Sequence, residues 1–177
     1  DVMLTAEKAI GEFMAGEPLS IGVTEMEHPD VLLWAIWCIQ QYSNFVSMEK
    51  CEEKYGHLLW DIMEWLRSGN HTNLQIKYNG LGYSEGRDKA VTWMNSSANG
   101  RPIVPRTGYI VEFNALWYNA LRFCTELCKH VNNEECTNVL ESAAERCANN
   151  FAPMFYNEYG YLCDYCVDGY RNYDVRP

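Results

Sequence analysis

"VLLWAIWCI", residues 31–39, runs for nine residues without a charge or a hydrogen-bonding amide, and "HPD" stands in front of it at 28–30. Proline is tolerated in the first turn of a helix because its missing N–H would be unpaired there anyway. A helix starting at Pro29–Asp30 is then apolar on every side as far as Ile39. A helix of that kind needs neighbours all round it. The run is also the longest of its type in the chain, at about half of the ~20 residues that a bilayer span requires.

Outward from this helix, four more can be read from the period of the apolar residues. The segment from Thr5 to Ala15 is weakly amphipathic through Ala6, Ile10, Phe13 and Met14, and it ends before Gly16 and Pro18. Ser47 to Leu66 carries one stripe, Met48, Cys51, Tyr55, Leu58, Leu59, Ile62, Met63 and Leu66, and stops at "SGN". Gly108 to Val131 has a denser stripe from Phe113 through Trp117, Leu121 and Cys124 to Val131, with the uncharged Tyr118 and Asn119 beside it. Glu134 to Asn150 is again one-sided, through Val139, Leu140, Ala143, Ala144 and Cys147. The order is therefore amphipathic, buried, amphipathic, buried, amphipathic.

Helices that are apolar all round belong inside and one-striped helices outside, so two concentric helical layers satisfy the alternation. The expected class is all-α, as part of an alternating inner and outer helical barrel. An α-solenoid is the weaker alternative, since the helix pairs share no repeating glycine, proline or aromatic spacing. "NLQIKYNGLGYSEG" at 73–86 and "YNEYGYLCDYCVDGYRNY" at 156–173 are glycine-punctuated and aromatic, and both read as hairpins capping one end of that barrel.

The 177 residues, 47% of them hydrophobic, suffice for one core and are expected to form a single domain spanning 1–177. Twenty-four acidic against fourteen basic residues give a formal net charge of -10. Such a surface repels phosphate backbones and anionic lipids, so neither nucleic acid nor membrane is an expected partner. The N-terminus lacks the basic-then-apolar order of a signal peptide. Of the eight cysteines, Cys38, Cys51, Cys124, Cys128, Cys136 and Cys147 fall on predicted helices at apolar positions, where a free thiol behaves as a small hydrophobe. "CDYC" at 163–166 is a lone C-x-x-C with no second pair and no nearby histidine, so no metal or other cofactor is expected there. Reduced thiols point to the cytoplasm, which makes the glycosylation-type triplets at Asn70 and Asn95 accidental.

Some polar residues fit no core. Asp30 begins the first buried helix, Arg106 and Glu112 flank the start of the second, and Trp93 and Asn95 lie in the loop that feeds it. One reading has the acids answering helix dipoles, with Arg106 solvated. The other gathers all of them at one pole of the barrel as a sugar site, where aromatic faces stack on pyranose rings and carboxylates and amides pair with hydroxyls. Composition does not separate the two.

"TWMNSSANGRPIVPRTGYIVEFNALWYNALRF", residues 92–123, resembles the glucosidase region of glycogen debranching enzymes, the amylo-α-1,6-glucosidase family. That family's pattern has an aspartate after T-W-M and continues, past a short connector, as T-P-R-x-G-x-x-V-E-I-N-A-L-W-Y-N-A-L. "HPDVLLWAIWCIQQY" at 28–42 resembles its earlier D-x-x-L-W segment. The resemblance implies an (α/α)6 toroid, of which the five helices read here are a part, so a piece of a longer enzyme is expected. It implies hydrolysis, with inversion, of α-1,6-linked glucose at the branch points of glycogen or related α-glucan oligosaccharides. The residues it implies are Asn95 at the position of the general acid, Glu112 as an alternative carboxylate, and Asp30, Trp34, Trp93, Arg106, Asn114 and Trp117 as substrate-binding groups. An inverting hydrolase also needs a base about 6.5–9.5 Å from the acid, and the family's glutamate for that role is expected beyond Pro177. An amide cannot protonate a leaving group. A sugar-binding module without catalysis and a helical interaction scaffold are therefore carried as alternatives, and a partial barrel is expected to self-associate through uncovered inner-helix surface.

Overall fold

A computed structural model describes residues 2–20, 28–70, 73–86 and 89–175, which include all eight candidate site residues. The chain is mostly helical, with α1 at Val2–Ala15, α2 at Asp30–Ser43, α3 at Met48–Arg67, α4 at Val111–His130 and α5 at Glu134–Phe155. Among the described residues seven short strands accompany them: β1 (Gln75–Ile76), β2 (Gly82–Ser84), β3 (Ser97–Ala98), β4 (Arg101–Pro102), β5 (Gly108–Ile110), β6 (Tyr165–Val167) and β7 (Tyr170–Arg171).

Helix boundaries follow local chemistry. Ser47 caps α3 by accepting from the Lys50 N–H at 3.3 Å, and Asn133 caps α5 by accepting from the Cys136 N–H at 3.1 Å. The α4 helix begins three residues later than its apolar stripe suggests. Gly108–Ile110 pairs with β2 on one side and β6 on the other, and two ladders of sheet hydrogen bonds prevail over local helix propensity. The α5 helix runs past Asn150 to Phe155, with Pro153 in its last turn. Phe151 and Phe155 pack ring to ring at 4.9 Å, and the burial of Phe155 outweighs the single hydrogen bond that proline forfeits.

The core sits around α4. Phe113, Trp117, Ala120, Leu121, Cys124, Leu127 and Cys128 are buried along it, and α5, α2 and α3 pack against it. Tyr42 of α2 meets Tyr55 of α3 edge-on at 5.5 Å, and Asn119 of α4 donates to Gln40 of α2 at 2.7 Å. Phe13 of α1 packs on Trp65 of α3 at 5.3 Å. The α2 helix is not buried all round: Leu32, Leu33, Ile36 and Ile39 face the core, while Trp37 and Cys38 face outward. Nothing among the described residues covers that outer side, so the Cys38 thiol is exposed rather than part of an apolar stripe.

The two expected hairpins are present, and they share one sheet. Its order is β1-β2-β5-β6-β7, antiparallel throughout, with Tyr83 opposite Tyr109 and Tyr109 opposite Cys166. Thus β5 is the central strand, flanked by a hairpin on each side, and it leads directly into α4. Gly108 has φ +89, and an added Cβ would lie 2.2 Å from the Cys166 carbonyl, so β5 and β6 approach closely only because this residue has no side chain.

Candidate functional site

The loop between β2 and β5 is held from within. Its outer part folds into a hairpin, β3 against β4, turned by Asn99 and Gly100 at φ 52 and 75. Positive φ at both central residues marks a type I′ turn, for which Asn-Gly is the favoured pair. The sequence carries that signal, although the loop as a whole shows hardly any regular period. At the loop's start the Asn95 Oδ1 accepts from the Thr92 N–H at 3.3 Å, while its Nδ2 donates to the Val104 carbonyl at 3.2 Å. Asn95 therefore ties the two ends of the β3–β4 hairpin together.

Beneath the loop lies Arg106, fully buried. Its guanidinium donates in bidentate fashion to Glu112, to Asp164 at 2.6 Å, and to the Thr92 hydroxyl at 3.0 Å. The Thr92 hydroxyl in turn donates to Glu112 at 2.8 Å. Burial pulls the guanidinium pKa down, but the hydrogen bonds and charge of Glu112 and Asp164 outweigh it and raise it overall. Taking away one partner of a buried ion pair leaves the other uncompensated, at a cost of about 3–5 kcal/mol, so this cluster fixes the loop to the sheet and to the start of α4. The Val111 N–H, at a helix start with no side-chain cap, donates to the Asp164 carbonyl at 3.1 Å. Asp164, the second residue of "CDYC", is a member of the cluster that sequence reasoning missed. The signal was an acid set in a run of aromatic and cysteine positions.

Asp30, at the start of α2, reaches the same loop. It is 1% exposed, and its Oδ2 accepts from the Trp93 N–H at 2.9 Å. Burial pushes its carboxyl above the ordinary carboxylate range, with the Trp93 N–H, the His28 charge and the Trp34 indole pulling in the opposite direction. Trp93 is 64% exposed and meets Trp34 edge-on at 6.3 Å; Trp34 meets Trp37 edge-on at 5.7 Å. Three indoles thus form a row beside one buried carboxylate. A cavity of about 210 Å³ adjoins Asn95 and Arg106, lined also by Met94, Ser96, Ile103 and Val104. It is below the ~300–1,000 Å³ of an ordinary ligand pocket and takes one sugar ring at most.

Buried polar atoms are almost always hydrogen-bonded, and exceptions call for an explanation. Four buried side-chain atoms among the described residues have no partner within hydrogen-bond geometry: Asp30 Oδ1, Trp34 Nε1, Arg106 Nε and Asn157 Nδ2. Asp30 and Trp34 lie on one helix face and the indole still acts on the carboxyl as a donor, so their two atoms fall short of ideal geometry toward each other.

Six of the eight sequence candidates are therefore brought together: Asp30, Trp34, Trp93, Asn95, Arg106 and Glu112. Asn114 and Trp117 are placed elsewhere, against the β1–β2 hairpin. Asn114 exchanges hydrogen bonds with Gly82, accepting at 2.7 Å and donating at 3.0 Å, and it also donates to the Ile110 carbonyl at 2.9 Å. The Trp117 indole donates to the Gly80 carbonyl at 3.1 Å. Both side chains fasten sheet to helix, with their polar atoms spent on backbone. The thiols of the C-x-x-C are buried; Cys166 donates to the Met154 carbonyl at 3.3 Å and burial raises it to about 12. No group of metal-ligating side chains occurs among the described residues, and none of their helices is long and apolar enough to cross a membrane.

Among known protein families, the amylo-alpha-1,6-glucosidase model matches residues 23–177. No curated protein matches the chain. The family match takes in α2 to α5, the whole sheet and every residue of the loop cluster.

Proposed function

We propose, from the premise that this chain belongs to the amylo-alpha-1,6-glucosidase family, that the loop cluster is a glucose subsite for branched α-glucans. The enzyme activity associated with it is inverting hydrolysis of α-1,6-linked glucose. The observation that supports the reading best is the exposed ring of Trp93, whose backbone N–H is held by the buried Asp30 carboxyl and whose loop is anchored by the Arg106–Glu112–Asp164 cluster. Trp93 serves as the stacking face for a pyranose ring, and the buried Asp30 carboxyl holds that residue's backbone in place. Glu112 has both oxygens occupied by Arg106 and Thr92, which suits it to holding the loop in shape rather than to delivering a proton. The acid position falls to Asn95, whose amide has no proton to give. In its present form the chain is a glucan binder with weakened or absent hydrolysis.

Asn95→Asp tests this. A carboxyl at that position faces the Val104 carbonyl, to which Nδ2 now donates. Only the protonated acid can keep that bond, so the neutral, proton-donating form is favoured. General acid catalysis contributes roughly 10²–10⁴-fold. The expected result is a gain of turnover on a branched oligosaccharide of that order, with maltose quenching tryptophan fluorescence in both variants and less in Trp93→Ala. A slow parent with no gain on substitution overturns the acid assignment; absence of quenching overturns the subsite.

A further inference from the structure

A cavity of about 600 Å³ is lined by none of the loop residues. Its walls are Arg67 at the C-terminal end of α3, Lys77 and Tyr78 of the β1–β2 hairpin, and Asn138, Ser142 and Arg146 of α5. The last three are spaced four apart and share one helix face. Gly80 forms the floor: at φ +81 it packs so closely that an added Cβ would lie 3.0 Å from the Cys147 nitrogen.

The charge of this groove runs against that of the molecule. Three of its lining residues are cationic and none is acidic, in a chain with twenty-four acids and fourteen bases. Among the described residues neither the Arg67 nor the Arg146 guanidinium has an ion pair. Lys77 donates to Gln75 at 2.5 Å and lies 5.0 Å above the Tyr83 ring, which leaves its charge uncancelled. Guanidinium forks match phosphate oxygens bidentately, and an ammonium adds a compact charge. Tyr78 is 92% exposed, so its ring face is open for stacking beside the Ser142 hydroxyl and the Asn138 amide.

We propose that this groove binds a phosphomonoester carried on a hexose, with Arg67, Lys77 and Arg146 holding the phosphate and Tyr78, Asn138 and Ser142 the sugar. The hexose part rests on the glucan reading above; the phosphate part does not. The ester is either on a free sugar phosphate or on a phosphorylated α-glucan.

Calorimetric titration of the full chain with glucose 6-phosphate, inorganic phosphate, glucose and a maltodextrin bearing phosphate monoesters tests it. Glucose 6-phosphate binds, more tightly than inorganic phosphate, and more weakly as salt screens the contact. Arg67→Ala and Arg146→Ala each weaken it about tenfold, the scale of a lost charged hydrogen bond, and Arg146→Lys falls between. Both arginines are exposed, and circular dichroism verifies that the variants are folded. Tighter binding of the phosphorylated maltodextrin than of glucose 6-phosphate assigns the site to glucan, and the reverse order to the free ester. The absence of phosphate-dependent heat, or heat that Arg146→Ala leaves unchanged, overturns the site. Equal binding of inorganic phosphate and glucose 6-phosphate overturns its hexose half. Maltose quenching of tryptophan fluorescence persists in both arginine variants; its loss in the parent with phosphate binding intact removes the loop subsite and leaves the phosphate half standing.

Discussion

Asp30 carries a carboxyl whose ionisation the fold resists. Its folded carboxyl titrates above the ordinary aspartate range because burial penalises the charge. A raised acid contributes its stability below the unfolded pKa and loses it as pH rises through the folded value. Asp30→Asn keeps an oxygen for the Trp93 N–H and has no charge to bury. As pH rises from about 4 through the folded carboxyl's raised titration, the asparagine variant is expected to gain stability relative to the parent. The gain is ~1.4 kcal/mol for each pH unit over which the folded carboxyl keeps a proton that the unfolded chain has lost. Urea midpoints of the two proteins across that range give the sign directly. A difference that does not change with pH, or that changes the other way, means the carboxylate is better solvated than its surroundings imply.

At the scale of elements, the joint between the β1–β2 hairpin and the α4–α5 pair carries its own prediction. Gly80 combines a left-handed backbone with contact against α5, whereas Gly100 has φ +75 and nothing within 4 Å of an added Cβ. Gly100→Ala is expected to cost only the backbone strain of about 1–2 kcal/mol. Gly80→Ala adds a displaced hairpin and a disturbed Trp117–Gly80 hydrogen bond, for a total of roughly 2–4 kcal/mol. Thermal unfolding of both, side by side, checks it, and equal losses would remove the packing contribution. Helices were legible in the sequence because their stripes repeat along the chain, and both long hairpins because glycines punctuate them. The strand at Gly108–Ile110 was hidden, since its pairing partners lie about 25 and 55 residues away in sequence and no local pattern registers them. Asp30, Arg106 and Glu112 were legible as charged residues at the ends of apolar helices, and Trp93 and Asn95 by the loop that feeds one of them. Asn114 and Trp117 lie on that helix, yet their polar atoms serve backbone groups of the hairpin, a pairing that only tertiary geometry decides.

For the whole molecule, charge and apolar surface act in opposition. A net charge of -10 keeps copies apart, while Trp37 and Cys38 on the outer side of α2 stay uncovered among the described residues. Salt screens the first and strengthens the second, with a Debye length falling from about 10 Å at 0.1 M to 3 Å at 1 M. The mass from light scattering is therefore expected to rise with salt and with concentration, and to rise less in Trp37→Ser. A mass that stays monomeric throughout rules out self-association through this face.

The bond from Arg106 to Asp164 joins residues 58 positions apart, and that span sets an order in time. Chain emerges from a ribosome at about 5–20 residues per second, so Arg106 waits roughly 3–12 seconds before its second anion exists. During that interval the loop has Glu112 and Thr92 but no β6 to close against, and β5 is without one of its two neighbours. The loop between β2 and β5 consequently matures only after β6 has been made, and a nascent protein stalled before residue 164 would present helices already able to form around a loop still unset.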